Sequence, residues 1–221
     1  MLKKAVIFDL DGTLLDTLED LCDSVNVTMR EFSSPERSLA EVRRFVGHGA
    51  ADLIAKSLKE GRDNPDYERA LVFFREYYAS HAEIKTRPYD GVTDILEKMR
   101  RLNIPCAVVS NKPDATTGRL CKTYFDGLIL EAVGDREGMP RKPAPDKVFA
   151  TMKNLGCERA IYVGDSEADV LTAKNASIPC ICMTWGFRDR EDMEAVGGEI
   201  FCNSAKELEG EIMKFLEQEA E

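Results

Sequence analysis

The chain of 221 residues has no long hydrophobic run, and it is short of positive charge. A membrane-spanning helix needs ~20 consecutive apolar residues, whereas charged residues interrupt every apolar stretch of this sequence much sooner. Lys and Arg number 30 against 40 Asp and Glu, which gives a net charge of −10. Because nucleic acids and anionic membranes attract basic surfaces, we expect neither as a partner. A small anionic substrate is still compatible with this charge, since a bound cation can reverse the local field.

The sequence also lacks a recognisable cysteine pattern. Its cysteines are odd in number and scattered, and Cys180 and Cys182 alone lie close together without forming a four-ligand zinc motif. The apolar stretch near the start is too short for a secretory signal peptide. We therefore expect reduced thiols and a cytoplasmic location.

Short apolar strands alternate with helical segments over much of the chain. Strands are predicted at residues 5–8, 105–110, 127–130, 160–163, 178–183 and 199–202. Alternation of this kind is typical of a parallel sheet with helices on both faces. We therefore predict an α/β fold with a doubly wound, Rossmann-like core.

One long stretch departs from this alternation. Between Asp16 and Ala82, apolar residues recur at three- and four-residue steps in four successive stripes, which predict four helices without a strand. We predict that residues 16–83 form a small helical-bundle cap domain. Residues 1–15 and 84–221 would then form the catalytic core domain.

Polar residues follow several of the predicted strands. In open α/β sheets, ligands bind at the carboxyl ends of the strands, where such side chains converge. The residues concerned are Asp9, Asp11, Ser110, Asn111, Lys112, Lys142, Asp165 and Asp169. A lone Asp-x-Asp is usually a solvated turn. The prediction of a functional site therefore rests on the placement of all these residues at the ends of neighbouring strands.

These residue types suit phosphoryl transfer. Asp9 and Asp165 can hold a hard cation such as Mg²⁺ through oxygen. Ser110 and Asn111 offer donors for phosphate oxygens, and Lys142 offers a compact positive charge. Little more is required, because phosphoryl transfer depends mainly on positioning and charge neutralisation.

The motifs resemble those of the haloacid dehalogenase superfamily of hydrolases with a helical cap, and within it the phosphoglycolate phosphatase group. The residues that carry the resemblance are DLDGTLLDT at 9–17, SNK at 110–112, KPAPD at 142–146, GDSEAD at 164–169 and TWGF at 184–187. All occur in order, with a cap-sized helical insert after the first.

The resemblance implies roles for four acids. Asp9 would be the nucleophile that forms an aspartyl-phosphate, and Asp11 would act as general acid and base. Mg²⁺ would be held by Asp9, by the backbone carbonyl of Asp11 and by Asp165. Asp169 would brace the site or bind the ion through water.

The resemblance also implies the groups that bind substrate. Ser110, Asn111 and Lys142 would bind the phosphoryl group. The turn between the second and third cap helices would face the site, so His48 is a candidate contact with the rest of the substrate.

The function implied is a Mg²⁺-dependent phosphatase for a small phosphate monoester, with 2-phosphoglycolate as the leading candidate. A β-phosphoglucomutase-like mutase, a pyrophosphatase and a broad sugar phosphatase remain alternatives. An imine-forming phosphonate hydrolase would need a cap lysine, for which Lys56 and Lys59 are poorly suited, and a non-catalytic binding protein is disfavoured by the intact motifs. We expect a small-molecule partner and a monomer or weak homodimer.

Overall fold

A computed structural model describes residues 3–218, so residues 1–2 and 219–221, at the ends of the predicted core, lie outside the described residues. The strands are β1 (Lys4–Phe8), β2 (Leu15–Asp16), β3 (Arg87–Pro88), β4 (Cys106–Pro113), β5 (Glu131–Asp135), β6 (Arg159–Gly164), β7 (Cys180–Met183) and β8 (Ile200–Cys202). The helices are α1 (Leu18–Glu31), α2 (Leu39–Phe45), α3 (Ala50–Ser57), α4 (Tyr67–His81), α5 (Val92–Arg101), α6 (Asp114–Phe125), α7 (Asp146–Leu155), α8 (Glu167–Asn175), α9 (Arg190–Glu194) and α10 (Ala205–Glu217).

Six strands form one parallel sheet in the order β5-β4-β1-β6-β7-β8. From β1 the chain fills one side of the sheet and then returns to the other side, which confirms the predicted doubly wound fold. Phe8 pairs with Val108 of β4 and with Val163 of β6. The carboxyl end of β1 therefore lies at the point where the strand order reverses, and this is where such sheets bind ligands.

Alternate residues of β1 belong to different apolar cores. Val6 and Phe8 pack into the core beneath α5, α6 and α10, while Ala5 and Ile7 pack into the core beneath α7 and α8. Because side chains alternate along a strand, both faces of the sheet need an apolar surface here. The apolar run at the start of the sequence is explained by this two-sided burial.

Helices α1–α4 pack around a separate apolar core, and we call them the helical unit. Val25, Ile54 and Phe74 are buried there, one from each of three helices. The four predicted helices are thus present. Within residues 3–218, no helix combines the length and apolar character that a membrane crossing requires.

A short antiparallel ribbon of β2 and β3 joins the helical unit to the sheet. Asp16 on β2 forms an ion pair of 2.8 Å with Arg87 on β3. The buried carboxylate of Asp20 accepts hydrogen bonds from the backbone N–H groups of residues 84–86 and from the hydroxyl of Thr86. Asp20 therefore fastens the returning chain to the first helix.

The prediction of a strand at residues 127–130 is wrong, because the strand lies at Glu131–Asp135. Gly127 has a positive φ of 69° and belongs to the turn that ends α6. Leu128 is buried from that turn rather than from a strand, so its apolar character misled the sequence interpretation. The short helix α9 and the ribbon were not predicted.

Candidate active site

Asp9 stands at the carboxyl end of β1 and is buried. Its backbone N–H donates to the carbonyl of Val163 (2.8 Å), which continues the pairing of β1 with β6 for one residue. Its Oδ1 accepts a hydrogen bond from the N–H of Leu10 (2.7 Å) and lies 2.9 Å from Nζ of Lys142. The carboxylate is therefore held by both the strand end and a buried cation.

Lys142 is held by the loop that precedes α7. Its ammonium group also contacts Oδ1 of Asp169 (2.7 Å) and the hydroxyl of Tyr162 (3.2 Å). Burial alone would lower the pKa of Lys142, but Asp169 and Asp9 raise it well above its usual value. The side-chain amide of Asn111 donates to the Lys142 carbonyl and accepts from its N–H. Asn111 thus orients the lysine loop, and both ends of its amide are engaged.

Asp165 follows β6, beside the end of β1. Its Oδ1 accepts from the hydroxyl of Thr13 (2.7 Å), and its Oδ2 accepts from the N–H of Phe187 (2.8 Å). A Cβ atom on Gly12 would lie 2.3 Å from Oδ2 of Asp165, and one on Gly186 would lie 2.3 Å from its Cβ. Two glycines therefore let the backbone close around this carboxylate.

Asp169, in the first turn of α8, has little capacity left for a ligand. Its Oδ2 accepts from the N–H groups of Asp165 and Ser166 and from the Ser166 hydroxyl (2.6 Å). Its Oδ1 pairs with Lys142. This arrangement suits a residue that braces the site.

The acids form a cluster that fits a divalent cation. One carboxylate oxygen from each of Asp9, Asp165 and Asp169 lies within 4.8 Å of the other two, and all three residues are buried. Burial raises the pKa of Asp9 to about 6. Burial, with the neighbouring Asp169 and Asp9, also raises the pKa of Asp165 well above its usual value. Hard oxygen ligands in excess of nearby positive charge are the donor set that Mg²⁺ prefers.

The Asp11 carboxylate is not a member of this cluster and has partners of its own. Its carboxylate accepts from the hydroxyl of Thr17 (2.7 Å) and from Nζ of Lys112 (2.8 and 3.1 Å). The same ammonium donates to the hydroxyl of Tyr78, on helix α4. The sequence places Lys112 among the polar residues that follow a strand, and its side chain proves to connect Asp11 with the helical unit.

Ser110 lies at the sheet edge with its hydroxyl oxygen 3.3 Å from the N–H of Lys112, from which it accepts. Its carbonyl accepts a hydrogen bond of 3.0 Å from Nζ of Lys147, a lysine buried beneath the site. Burial lowers the pKa of Lys147 to about 8. Nothing in the sequence pattern marks this lysine as buried, because it occupies a helix position next to an acid.

A cavity of about 50 Å³ lies between the sheet edge and the helical unit. Asp9, Asp11, Ser110, Asn111 and Asp165 line one side, and Leu21, Val46, Leu53 and Phe74 line the other. Gly47 and Gly49 also line it, and the Asn111 amide donates to the carbonyl of Gly47 (3.1 Å). His48, between these glycines, is exposed.

Neither lysine of the helical unit that was considered for imine chemistry borders this cavity. Lys56 and Lys59 are both exposed, and Lys56 pairs with Asp52 at 2.8 Å. Thr13, Tyr78 and Phe187 are site residues that the sequence reasoning missed. Thr13 and Phe187 lie inside quoted motifs, and these motifs were the signal that could have identified them. Tyr78 belongs to an apolar stripe of the predicted helices, which indicates packing rather than a site.

Comparisons with known proteins agree with this geometry. The family model described as haloacid dehalogenase-like hydrolase matches residues 6–183. A phosphoglycolate phosphatase of Pseudomonas putida is 32% identical over 215 residues, which cover 94% of this chain and 79% of that protein. One of Mesorhizobium japonicum is 32% identical over 200 residues, which cover 88% of each protein. A crystal structure from Lactobacillus delbrueckii, of a protein provisionally named phosphoglycolate phosphatase, has a TM-score of 0.90 at 32% identity and covers 96% of this chain and 99% of that one.

Proposed function

The chain belongs to the haloacid dehalogenase-like hydrolases, and we propose that it is a Mg²⁺-dependent phosphatase for a small phosphate monoester. The observation that carries the proposal is the environment of Asp9. This carboxylate is buried at the reversal point of the sheet, 2.9 Å from the Lys142 ammonium, and within 4.8 Å of an Asp165 oxygen. Those are the surroundings that an attacking carboxylate and a dianionic phosphoryl group both need.

Asp9 is assigned as the nucleophile. Since Leu10 and Lys142 engage its Oδ1, we assign the attack on phosphorus to Oδ2. The new bond joins Oδ2 to phosphorus while the bond from phosphorus to the ester oxygen breaks, which leaves an aspartyl-phosphate. Water then attacks the same phosphorus atom, releases inorganic phosphate and restores the carboxylate.

Asp11 is assigned the two proton transfers. It donates a proton to the departing ester oxygen and later takes one from the attacking water. Thr17 and Lys112 hold its carboxylate at the wall of the cavity, two residues from the nucleophile. Lys112 and Tyr78 thus tie the position of this acid to the helical unit.

Lys142 and Ser110 are assigned to the phosphoryl oxygens. The Lys142 ammonium already touches the nucleophile, so it can neutralise charge on the transferred group without moving far. Ser110 offers its hydroxyl from the neighbouring strand. Asn111, proposed from sequence as a phosphate ligand, supports the same function by holding the Lys142 loop.

The carboxylates of Asp9 and Asp165 and the backbone carbonyl of Asp11 would hold Mg²⁺. When bound, the ion neutralises negative charge on the phosphoryl oxygens. Thr13 and Phe187 hold the two oxygens of Asp165 in a fixed orientation. Asp169, fully hydrogen-bonded itself, acts by holding Lys142.

The leading substrate is 2-phosphoglycolate. Relatives that are about a third identical over most of their length carry that activity in their names. The cavity of about 50 Å³ favours a small leaving group. In this proposal residues 16–83 act as a cap domain, and the turn that contains His48 and its flanking glycines meets the leaving group.

Phosphate release from a panel of small phosphate esters, with and without Mg²⁺, tests the proposal. We expect Mg²⁺-dependent release, fastest with 2-phosphoglycolate. Asp9→Asn should lower the rate on the order of 10⁴-fold, because the amide cannot form the covalent intermediate. The matched control is Asp126→Asn, an exposed acid after α6, and it should keep the parent rate.

Two outcomes would contradict the proposal. Unchanged turnover in Asp9→Asn would remove the nucleophile assignment. Interconversion of sugar phosphates without phosphate release would identify a mutase instead, since the aspartyl-phosphate would then pass its group to a sugar hydroxyl rather than to water.

A further inference from the structure

Residues 186–188 touch both the acid cluster and the helical unit. The N–H of Phe187 donates to Oδ2 of Asp165 (2.8 Å), while its side chain is buried in the apolar core of the helical unit. Gly186 packs so closely on Asp165 that a Cβ atom would lie 2.3 Å from the Cβ of that acid. The backbone of this segment therefore fixes the orientation of Asp165.

Arg188 attaches the same segment to the end of helix α2. Its Nη1 donates to the carbonyl of Arg43 (2.9 Å), and its Nη2 donates to the carbonyl of Val46. Its Nε pairs with Glu167 at 3.0 Å, in the first turn of α8. The last carbonyls of a helix have no partner within the helix and carry partial negative charge, so a buried guanidinium is well matched to them.

We propose that Arg188 is a positioning residue that couples the docking of the turn at residues 46–49 to the orientation of Asp165, and thereby to the affinity for Mg²⁺. The inference rests on the proposed function to the extent that the acid cluster holds the ion. It goes further by assigning an influence on that cluster to a residue outside the five motifs quoted from the sequence.

The donor geometry explains why an arginine is needed. Three nitrogen atoms of one planar group reach α2, the turn after α2 and α8 at the same time, which a lysine ammonium cannot do in the same directions. Arg188 is 8% exposed, so its removal would leave the Arg43 and Val46 carbonyls and the partly exposed Glu167 without this partner. The segment before it would then keep only the Phe187 side chain and the bond from Nη2 of Arg43 to the Gly186 carbonyl (3.2 Å) as attachments to the helical unit. The Phe187 N–H would therefore hold Asp165 less firmly.

Coupling of this kind is reciprocal. If docking of the turn favours the orientation of Asp165 that binds Mg²⁺, bound Mg²⁺ must favour docking by the same factor. A residue that only stabilises the fold would make neither the Mg²⁺ affinity depend on docking of the turn nor the docking depend on Mg²⁺. The reciprocity supplies the test.

Trp185, the one tryptophan of the sequence, offers a direct readout. Its indole Nε1 donates to the carbonyl of Thr13 (3.2 Å), and the Thr13 hydroxyl holds Asp165. Mg²⁺ titrations of the metal-free full chain, followed by tryptophan fluorescence, should give a Kd about tenfold weaker for Arg188→Ala than for the parent, as is usual when support of a metal ligand is lost. Arg188→Lys should fall between them.

Arg190→Ala is the matched control. Arg190 lies two residues away, pairs with Glu194 and is more than half exposed, so its loss should leave the Mg²⁺ Kd unchanged. Hydrogen exchange of the amides at residues 43–49 is the second readout. Mg²⁺ should slow exchange there in the parent and in Arg190→Ala, and the slowing should be clearly smaller in Arg188→Ala.

If Arg188→Ala does not fold, Glu167→Gln and Arg188→Lys replace it, with the same expected direction. A Mg²⁺ Kd and exchange response in these variants equal to those of the parent would overturn the inference while leaving the phosphatase proposal intact. A parent protein that neither binds Mg²⁺ nor releases phosphate would overturn both.

Discussion

The two walls of the cavity differ in how firmly they are built. At the sheet edge, each chemical group is fixed by several polar contacts, as Asp165 is by Thr13 and Phe187. The wall from the helical unit is mostly apolar, with Leu21 and Phe74 held by packing rather than by directed bonds. The difference teaches that the proposed reaction depends on the sheet edge, while the apolar side chains of the helical unit, unlike Tyr78, can change without disturbing the reacting groups.

The largest effect is expected when the cation at the sheet edge is removed. Lys142→Met should lower phosphate release by about 10²–10³-fold, because charge on the transferred group would lose its fixed partner. Stability should fall by about 3 kcal/mol, since a buried ion pair would lose one member. Phosphate release and urea unfolding measure the two effects. Lys122→Met, on the exposed side of α6, should change neither, and near-parental activity in Lys142→Met would refute the role of this lysine.

A second variant weakens the connection between the helical unit and the chain that returns to the sheet. Asp20→Ala removes the carboxylate that fastens residues 84–86 to α1, and the loss of hydrogen bonds to a buried charge should cost about 3 kcal/mol of unfolding free energy. Urea unfolding measures this, and the turnover of the folded fraction should remain. Asp23→Ala, which breaks an exposed pair with Lys85, should cost far less. Equal losses in the two variants would mean that Asp20 has no special role.

A third variant changes the apolar wall alone. Leu21→Phe narrows the cavity, and a steric penalty of about 1.4 kcal/mol on substrate binding corresponds to a KM for 2-phosphoglycolate raised about tenfold. The Mg²⁺ Kd should stay at the parent value, because the acid cluster is untouched. Steady-state kinetics and the fluorescence titration test both points. Leu39→Phe, at an exposed site of the helical unit, is the control, and a large change in Mg²⁺ affinity for Leu21→Phe would invalidate the comparison.

The smallest effect concerns a buried charge beneath the sheet edge. Because burial lowers the pKa of Lys147 to about 8, the folded protein binds fewer protons than the unfolded chain between that value and the usual lysine pKa. The cost of burying this charge is therefore full below about pH 8 and fades as the pH rises further. Lys147→Met should exceed the parent in stability most at about pH 7 and least at about pH 10. Chemical unfolding across this range measures the difference, and a constant difference would contradict the assignment.

Much of the sheet could be predicted because its signals are local. Strand β1 reads as an uninterrupted apolar run since both its faces are covered, and the acids after it mark its end. The rule that ligands bind at strand ends then predicts that Asp9 and Asp165 meet, although 155 positions separate them in the chain. The predicted position of β5 was wrong because Leu128 is equally apolar whether a turn or a strand buries it.

Contacts that depend on how the two regions pack together could not be predicted from the sequence. Lys112 follows a strand in the pattern, yet its side chain turns toward Tyr78 of the helical unit, and no spacing rule links the two. Arg188 directly follows the TWGF motif, and nothing in the sequence pattern distinguishes it from an exposed charged residue. Its acceptors are main-chain carbonyls, which every residue possesses, so the sequence carries no mark of them.

The ribbon of β2 and β3 has a consequence for how such proteins diversify. Leu15 pairs with Pro88, so the chain departs from the sheet and rejoins it at neighbouring points. Everything between could be exchanged for another insert with closely spaced ends, and the path from β1 to α5 would keep its length. One α/β core could in this way be combined with different inserted segments, each of which would supply a different wall for the cavity.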